Sequence, residues 1–290
     1  MGPVLFTIFI NDLDEATKEL ASIVLKFADD TKIGREIRNN EDSRKLQECL
    51  DKLCEWAKTC KMEFNVSKCH VLHLGKTNPC HKYTMDGEEL KASGSERDIG
   101  VLITPNLKPG KQCQAAATTA TRTLTNILRA FSYRDRTVLP RLYKQYVRPH
   151  LEFSIQSWSP WQRGDIEALE QVQERMVRAV TGLTGTTYEE KLAELNMEKL
   201  ESRRTRLDLI QAFKIIARHD QVDPNYWFTL IPEDRANPIR RTAGGLTLAT
   251  NPARLEIRRN FFSCRVVNTW NRLPLETRIG PRIGCGKISM

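Results

Sequence analysis

The sequence predicts an α+β fold, in which an antiparallel sheet with helices is followed by a mostly α-helical region. Strand-like and helical patterns alternate over the first hundred residues, and only helical periodicities follow. Pro105 and the pair Pro109-Gly110 punctuate the chain where the pattern changes. The 290 residues are 40% apolar, which is enough for two packed cores. We therefore expect a sheet-containing domain over 1–108, a helical domain over 109–230 and a basic, largely irregular region over 231–290.

The first elements surround an acidic pair. Val4–Leu13 is apolar on nearly every side, which predicts a buried helix. The apolar run Ile23–Phe27 and the run Thr31–Ile33 flank Asp29-Asp30. This arrangement predicts two strands joined at a tight turn that carries both carboxylates.

A longer helix should follow, capped by Asn40 or Ser43. Its apolar side chains recur at steps of three and four residues, so that one helix face can cover the sheet. They are Leu46, Leu50, Leu53, Ala57 and Cys60. We expect Trp56 in the core or at its edge, rather than as a platform for base stacking.

Three further strand signals complete the first domain. A short apolar run over 71–74 predicts one strand, and Asp86-Gly87 is the strongest short-range signal for a hairpin turn. Ile99–Ile103 predicts another apolar strand.

Beyond residue 110, apolar stripes at helical spacing predict a series of helices. The stripes run over 116–128, 138–146, 166–180 and 195–216, and the last of these is long enough for two helices. The second should stop near Pro149, because proline breaks the helical hydrogen-bond pattern. Residues 232–260 are rich in Pro, Gly and Arg and should be irregular, and 261–270 should form a last short helix.

Charge is unevenly distributed along the chain. Residues 1–110 carry 16 basic and 18 acidic side chains, whereas residues 111–290 carry 29 basic and 18 acidic ones. Arginine dominates the second part, 23 to 6 over lysine, and its planar guanidinium suits phosphate. A basic half beside an acidic turn indicates a polyanion held near a metal centre. The alternative is a solvated basic surface.

The cysteine pattern indicates a reducing compartment. The eight cysteines are irregularly spaced, without a CxxC pair, which is typical of reduced thiols in an intracellular protein of nucleus or cytoplasm. A loose Cys and His cluster over 60–81 leaves a zinc site conceivable, but its spacing matches no standard pattern. We expect no transmembrane helix, because no apolar stretch reaches 18 residues, and no signal peptide.

Asp29 and Asp30 are the leading candidates for a functional site. Two adjacent carboxylates repel each other unless something neutralises them. A turn that carries both can bind divalent metal, and two-metal sites drive phosphoryl transfer at nucleic-acid ends. The alternative is a solvated Asp-rich turn, which is common.

Several motifs resemble one family. GPVLFTIFINDL at Gly2–Leu13 resembles the palm helix of non-LTR (LINE-type, jockey-like) retrotransposon reverse transcriptases, and FADD at Phe27–Asp30 resembles their catalytic turn. FNVSKCHVLHLG at Phe64–Gly75 resembles the next palm motif, and IGVL at Ile99–Leu102 resembles the primer-gripping strand. Three further segments resemble the thumb and C-terminal region of these enzymes: Tyr143–Glu152, Trp158–Pro160 and Phe261–Pro274.

The resemblance implies an RNA-directed DNA polymerase that uses two Mg²⁺ ions, an RNA template and a DNA primer. On this basis 1–108 is a partial palm and 109–230 is a thumb and connection region. Asp29 would bind metal directly, Asp30 would support the same site, and Lys68 would protonate the leaving pyrophosphate. Gly100 and Val101 would grip the primer.

Each of these assignments has a structural alternative. Lys68 also reads as a surface lysine, and a structural turn explains Gly100 equally well. The thumb would hold template–primer phosphates through five arginines, each of which a solvated role also explains. They are Arg129, Arg134, Arg136, Arg141 and Arg148.

The chain also departs from the family pattern. Family palms carry a first catalytic aspartate on a strand before the palm helix, and the fingers precede that strand. This sequence starts inside the helix motif, at Gly2-Pro3. We therefore expect a truncated copy that does not polymerise alone, because metal positioning needs the missing carboxylate. The alternatives are a catalytically dead relic that binds nucleic acid through its basic half, or a product that does not fold fully.

Overall fold

Helices make up about 53% of the structure and the sheets are small, so the α+β class is confirmed. The computed structural model describes residues 2–17, 23–231, 246–274 and 277–278. The chain forms two compact units, Met1–Leu107 and Lys108–Met290, and each contains an apolar core. None of the helices in the described part of the chain combines the length and apolar character needed to cross a membrane.

The described residues of the first unit form three α-helices and eight short strands. The helices are α1 (Gly2–Phe9), α2 (Leu13–Thr17) and α3 (Asn40–Thr59). The strands are β1 (Ile23–Phe27), β2 (Asp30–Gly34), β3 (His70–Val71), β4 (Thr84–Met85), β5 (Glu88–Glu89), β6 (Lys91–Ala92), β7 (Glu96–Asp98) and β8 (Val101–Ile103).

These described strands form four separate two-stranded sheets rather than the single antiparallel sheet that the sequence predicts. The pairs β1–β2, β4–β5 and β7–β8 are antiparallel, and β3–β6 is parallel. Six of the eight strands contain only two or three residues. Strands this short offer few backbone hydrogen-bonding groups, so each pairs with a single neighbour and a wider sheet does not form.

Helix α3 organises the core of the first unit. Its N-cap is Asn39, one residue before the predicted Asn40, and the Asn39 side chain accepts a hydrogen bond from the Asp42 amide at 3.0 Å. Leu50, Leu53 and Ala57 of the predicted apolar stripe are buried, with Leu53 only 2% exposed, whereas Leu46 and Cys60 at its ends are half-buried. The stripe packs with Ile10, Leu13, Tyr83, Met85 and Leu90. Trp56 lies at the core edge as predicted, and its indole nitrogen donates to Asp12 Oδ1 at 3.2 Å.

The prediction of a buried first helix is wrong. Val4, Leu5 and Ile8 are 65%, 61% and 67% exposed, and burial begins only at Ile10, after α1 ends. The physical reason is that α3 packs mainly against α2. From the apolar segment only the half-buried Phe6 and the residues at its end, Ile10 and Leu13, reach the core. Apolar composition alone did not reveal which neighbour was available.

Two tight hairpins follow α3. At the predicted turn, Asp86 and Gly87 have φ angles of 50° and 83°, which is the positive-φ pair that a two-residue hairpin loop requires. The same geometry recurs at Ile99 and Gly100, with φ of 44° and 84°. The predicted strand over Ile99–Ile103 therefore begins only at Val101.

The second unit is helical. Its helices are α4 (Gly110–Ala130), α5 (Val138–Leu142), α6 (Arg148–Glu152), α7 (Ile155–Trp158), α8 (Arg163–Ala179), α9 (Tyr188–Glu194), α10 (Leu200–Ile216), α11 (Pro224–Trp227), α12 (Glu256–Arg259) and α13 (Phe262–Arg272). The helices predicted from the stripes over 116–128 and 166–180 and the last short helix over 261–270 are therefore confirmed. The stripe over 138–146 forms α5 and a π-helical turn, and the stripe over 195–216 forms one helix, α10, instead of the two predicted. Within the predicted irregular stretch, 232–245 lies outside the described residues, and α12 is a single helical turn.

The helical segment that begins at Val138 does not end near Pro149 as predicted, but continues to Glu152. A π-helical turn at Tyr143–Val147 joins α5 to α6, and the Arg148 amide donates to the Tyr143 carbonyl five residues earlier. The wider turn carries the chain past the proline, whose missing N–H breaks an ordinary α-helix. Four residues spaced by four are all at most 1% exposed: Leu139, Tyr143, Val147 and Leu151.

Two groups of contacts hold the second unit together. Helix α4 packs against α8, and Ala116 and Ala120 of α4 are buried, which allows close approach of the two helices. Helix α10 packs against α13, where Trp270 is 1% exposed and donates its indole N–H to the Leu246 carbonyl at 2.8 Å. These helices form the framework on which the basic side chains are displayed.

Candidate active site

The acidic pair lies at a hairpin turn, as the sequence predicts. Strands β1 and β2 pair in register from Ile23 opposite Gly34 to Phe27 opposite Asp30. The loop is two residues long, Ala28-Asp29, and Ala28 has a φ of 53°. Asp30 is the first residue of β2, so the carboxylates of Asp29 and Asp30 leave the backbone from the loop and from the strand respectively.

Both carboxylates are available to a ligand. The side chains of Asp29 and Asp30 are exposed, and neither carboxylate forms a hydrogen bond or ion pair with another residue that the structure describes. Two unneutralised neighbouring carboxylates repel each other, and a bound cation would relieve that repulsion. The arrangement is therefore chemically suited to a hard divalent cation.

Two lysines fasten the hairpin to its surroundings. On one face, Lys26 donates to the carbonyls of Ile10 and Asn11 at 2.9 and 3.0 Å and so ties β1 to the end of the first apolar segment. On the other face, Lys32 pairs with Asp98 of β7. This second link joins the acidic hairpin to the β7–β8 hairpin, which carries the candidate primer grip.

Sequence reasoning missed the Lys32–Asp98 link. The two residues are 66 positions apart, and neither belongs to a recognisable pattern. The only available signal was opposite charge, which many other pairs in this chain share.

Gly100 and Val101 occupy the turn and the start of β8. Gly100 has a φ of 84°, which glycine adopts readily, and its carbonyl accepts a hydrogen bond from Arg97 Nη1 at 2.9 Å. Val101 is 8% exposed and belongs to the buried side chains of the first unit. The turn alone therefore accounts for the glycine.

Lys68 is separate from the acidic turn in its contacts. It ends a 3₁₀ turn over Val66–Lys68 and its side chain is exposed. Among the described residues no hydrogen bond or ion pair connects it to Asp29 or Asp30.

The five candidate thumb arginines fall into two groups. Arg134 donates to the Leu128 carbonyl at 2.6 Å, Arg136 pairs with Glu194 at 3.3 Å, and Arg148 lies 3.6 Å from Glu152. Burial also lowers the pKa of Arg148, with its neighbour Arg203 adding to the effect. Arg129 and Arg141 are exposed and have no partner in the described parts of the chain. These two are therefore the best placed to meet an external phosphate.

The oxygen donors of the acidic turn suit a hard divalent metal ion. Carboxylate oxygens are the ligands that Mg²⁺ prefers, and Mg²⁺ commonly takes one or two carboxylates and completes its shell with water or substrate phosphate. Asp29 and Asp30 fit that pattern. Within the described residues no group of three or more His, Cys, Asp or Glu side chains could hold a metal ion, and this includes the Cys and His cluster over 60–81.

Comparison with known proteins agrees with the sequence motifs. Residues 1–112 match the family model described as reverse transcriptase (RNA-dependent DNA polymerase). Over 192 residues the chain is 24% identical to the RNA-directed DNA polymerase from the mobile element jockey of Drosophila funebris. That alignment covers 63% of this chain and 21% of the Drosophila protein, so the chain spans about a fifth of its relative. No solved structure matches the chain significantly. Residues 1–112 are therefore similar in sequence to reverse transcriptases, and the longer match makes the chain similar to a non-LTR retrotransposon enzyme of that family.

Proposed function

We propose that this chain carries part of the active site of an RNA-directed DNA polymerase. The observation that supports this most is the exposed acidic turn at Asp29-Asp30, which lies inside the segment that the family model matches. In this proposal 1–108 belongs to the palm, 109–230 is the thumb and connection region, and 231–290 is a basic C-terminal region. The template is RNA and the primer is DNA.

Each candidate residue has a distinct role in the proposed reaction. Asp29 and Asp30 would hold a divalent metal ion, Mg²⁺, which when bound would activate the primer 3′ hydroxyl and neutralise charge on the leaving group. Lys68 donates a proton to the departing pyrophosphate. The hairpin at Gly100-Val101, fastened to the acidic hairpin through Lys32 and Asp98, positions the primer end. Arg129 and Arg141 bind phosphates of the template–primer duplex.

We propose further that the chain does not extend a primer by itself. Two-metal nucleotidyl transfer needs several carboxylate ligands held in fixed geometry, and the acidic turn offers two from adjacent residues. In the described residues no third metal-binding side chain gathers with them. Metal binding at the turn should therefore be weak.

A second candidate function is nucleic-acid binding without catalysis. It is favoured by the 29 basic against 18 acidic side chains in residues 111–290, and by the exposed, unpaired state of Arg129 and Arg141 in the described structure. Such binding needs no metal and weakens steeply with salt.

The metal role is tested with Mn²⁺ as a paramagnetic stand-in for Mg²⁺. Mn²⁺ binding is measured on the full chain, on Asp29→Asn, and on Glu63→Gln as a control that removes one exposed, unpaired carboxylate elsewhere. We expect Asp29→Asn to weaken the site by about tenfold or more, and Glu63→Gln to leave it unchanged. Equal Mn²⁺ binding by all three proteins would remove the acidic turn from the proposal.

Catalysis and binding are then separated. Primer extension on an RNA template should give no product, and DNA synthesis that Asp29→Asn abolishes would show that the chain alone is active. Binding to a template–primer duplex is measured over a range of salt concentrations. The pair Arg129→Gln and Arg141→Gln should reduce the slope of log affinity against log salt by about 2, because each arginine neutralises one phosphate. Arg163→Gln, which removes an exposed arginine already paired with Glu167, should leave the slope nearly unchanged.

A further inference from the structure

The second unit contains a cleft between α10 and α13 whose lining is mostly polar and charged. One face of α10, the first residues after α7 and one face of α13 enclose about 210 Å³. The side chains that matter here are Ser159, Arg204, Thr205, Arg265 and Thr269. The volume is about seven times the roughly 30 Å³ that a water molecule occupies in the liquid, so the cleft can hold a polyatomic group.

Arg204 is the buried cation of this cleft. It is only 4% exposed, and its Nη2 atom is buried without a hydrogen-bond partner among the described residues. Burial lowers the pKa of its guanidinium, the expected result of removing a cation from water. A buried guanidinium without a partner is unfavourable, whereas one that meets an anion is stabilised.

The neighbouring carboxylates do not provide that anion. Glu170 accepts hydrogen bonds from the Tyr188 hydroxyl and the Leu200 amide. Asp208 uses both oxygens to bind Arg265, at 2.8 Å each. Glu201 lines the cleft but is exposed, and it forms no ion pair with Arg204 in the described chain.

We propose that this cleft binds a phosphate group, with the Arg204 guanidinium as its principal ligand. Arginine's planar fork matches two phosphate oxygens, and the hydroxyls of Ser159 and Thr269 can donate to the others. The Thr205 hydroxyl already donates to the Glu201 carbonyl at 3.2 Å, so it lines the cleft without supplying a free donor. Arg265 already pairs with Asp208, so it shapes the wall of the site. Glu170, Glu201 and Asp208 favour the charged form of Arg204 from a distance, but Arg204 forms no ion pair in the described chain and supplies the free guanidinium.

The source of the phosphate rests on the proposed function. A chain that binds template and primer meets phosphate as the backbone or the terminus of a nucleic-acid strand. Free phosphate offers the same chemistry, and the experiment separates the two sources.

The first measurement is the thermal unfolding of the full chain with increasing inorganic phosphate, at ionic strength held constant with chloride. We expect Tm to rise by several degrees at saturating phosphate, because a ligand that binds only the folded state stabilises it. Arg204→Gln should lose this response while keeping or raising its Tm in chloride, since it removes an unpaired buried charge. Arg206→Gln, which removes a half-exposed arginine of the same helix, should keep the response.

A second variant keeps the proposal testable if Arg204→Gln does not fold. Glu201→Gln removes the negative charge at the mouth of the cleft, and it should tighten phosphate binding about fivefold. An absent phosphate response in the parent chain, or an unchanged affinity in Glu201→Gln, would overturn the proposal. So would a phosphate response that survives in Arg204→Gln.

The strand source is tested with short single-stranded DNA with and without a 5′ phosphate, in competition with inorganic phosphate. If only the strand with a 5′ phosphate displaces inorganic phosphate, the cleft binds a strand terminus. If both strands displace it, the cleft binds the phosphate backbone. If neither strand competes but phosphate binds through Arg204, the site takes a free phosphate and its link to nucleic acid is overturned. A negative primer-extension result leaves the phosphate response intact, so the two proposals fail independently.

Discussion

Replacing Gln173 by leucine should destabilise the second unit strongly, because this side chain is the centre of a buried hydrogen-bond network. Gln173 is fully buried on α8, accepts from the Tyr143 hydroxyl at 3.1 Å, and donates to the Tyr188 hydroxyl and the Glu198 carbonyl at 3.0 Å each. Burial raises the pKa of Tyr143, which keeps its hydroxyl protonated as a donor. Gln173→Leu preserves most of the volume but leaves that hydroxyl and the Glu198 carbonyl without partners.

The expected loss of stability follows from the two polar groups that Gln173→Leu leaves without partners. An unsatisfied buried polar group costs about 1–3 kcal/mol, so the free energy of unfolding should fall by about 2–5 kcal/mol. This is a large fraction of the roughly 5–15 kcal/mol that stabilises a typical domain. The midpoint of thermal unfolding should fall by about 2–4 °C for each kcal/mol lost.

The assay is urea unfolding followed by circular dichroism, with Gln171→Leu as the control. Gln171 lies on the exposed face of the same helix, and its replacement should change stability by less than about 0.5 kcal/mol. Tyr143→Phe completes a double-mutant cycle. In the Gln173→Leu background it removes an already unpaired hydroxyl, so it should cost about 1 kcal/mol less than in the parent. Additive effects, or a loss below about 0.5 kcal/mol for Gln173→Leu, would refute the network argument.

Two further predictions concern local geometry and pH. Gly87→Ala should cost about 1 kcal/mol, because Gly87 has a φ of 83°. The control is Gly164→Ala in the first turn of α8, where φ is negative and an added Cβ would meet no atom within 4 Å. It should be neutral or stabilising by some tenths of a kcal/mol. Equal effects of the two substitutions in urea unfolding would contradict the turn argument. Glu190 accepts hydrogen bonds from the Thr187 and Thr186 amides, and these lower its pKa from 4.5 to about 2. Its ionised form therefore stabilises the fold above pH 4.5, and that contribution is lost as pH falls towards about 2. Unfolding between about pH 5.5 and 3 should show a smaller loss of stability in Glu190→Gln than in the parent, and identical pH profiles would count against the capping role.

Local sequence signals predicted the parts of this fold that local interactions determine. The Asp86-Gly87 hairpin, the stripe of α3 and the strands around Asp29-Asp30 all depend on residues within a few positions of one another. The exposure of Val4 and the division of the strands into four ribbons depend on which distant segments come together, and composition does not carry that information.

The candidate site shows the same limit. The acidic turn was predictable, because both carboxylates and both strands are contiguous in sequence. The Lys32–Asp98 link was not, and neither was the engagement of Arg134 and Arg136 with internal partners, since a solvated arginine and a paired one look alike in a sequence.

The π-helical turn at Tyr143–Val147 has a consequence for the length of this segment. In an α-helix, residues four apart lie about 40° out of line, so a strict four-residue spacing would carry Leu151 off the buried face. The extra residue in the π turn cancels that drift and keeps Leu139, Tyr143, Val147 and Leu151 on one side. Removing one residue from the turn would give spacings of four, three and four, which is the ordinary α-helical stripe. The segment is therefore compatible with two lengths that differ by one residue, and a relative that lacks that residue can bury the same four side chains.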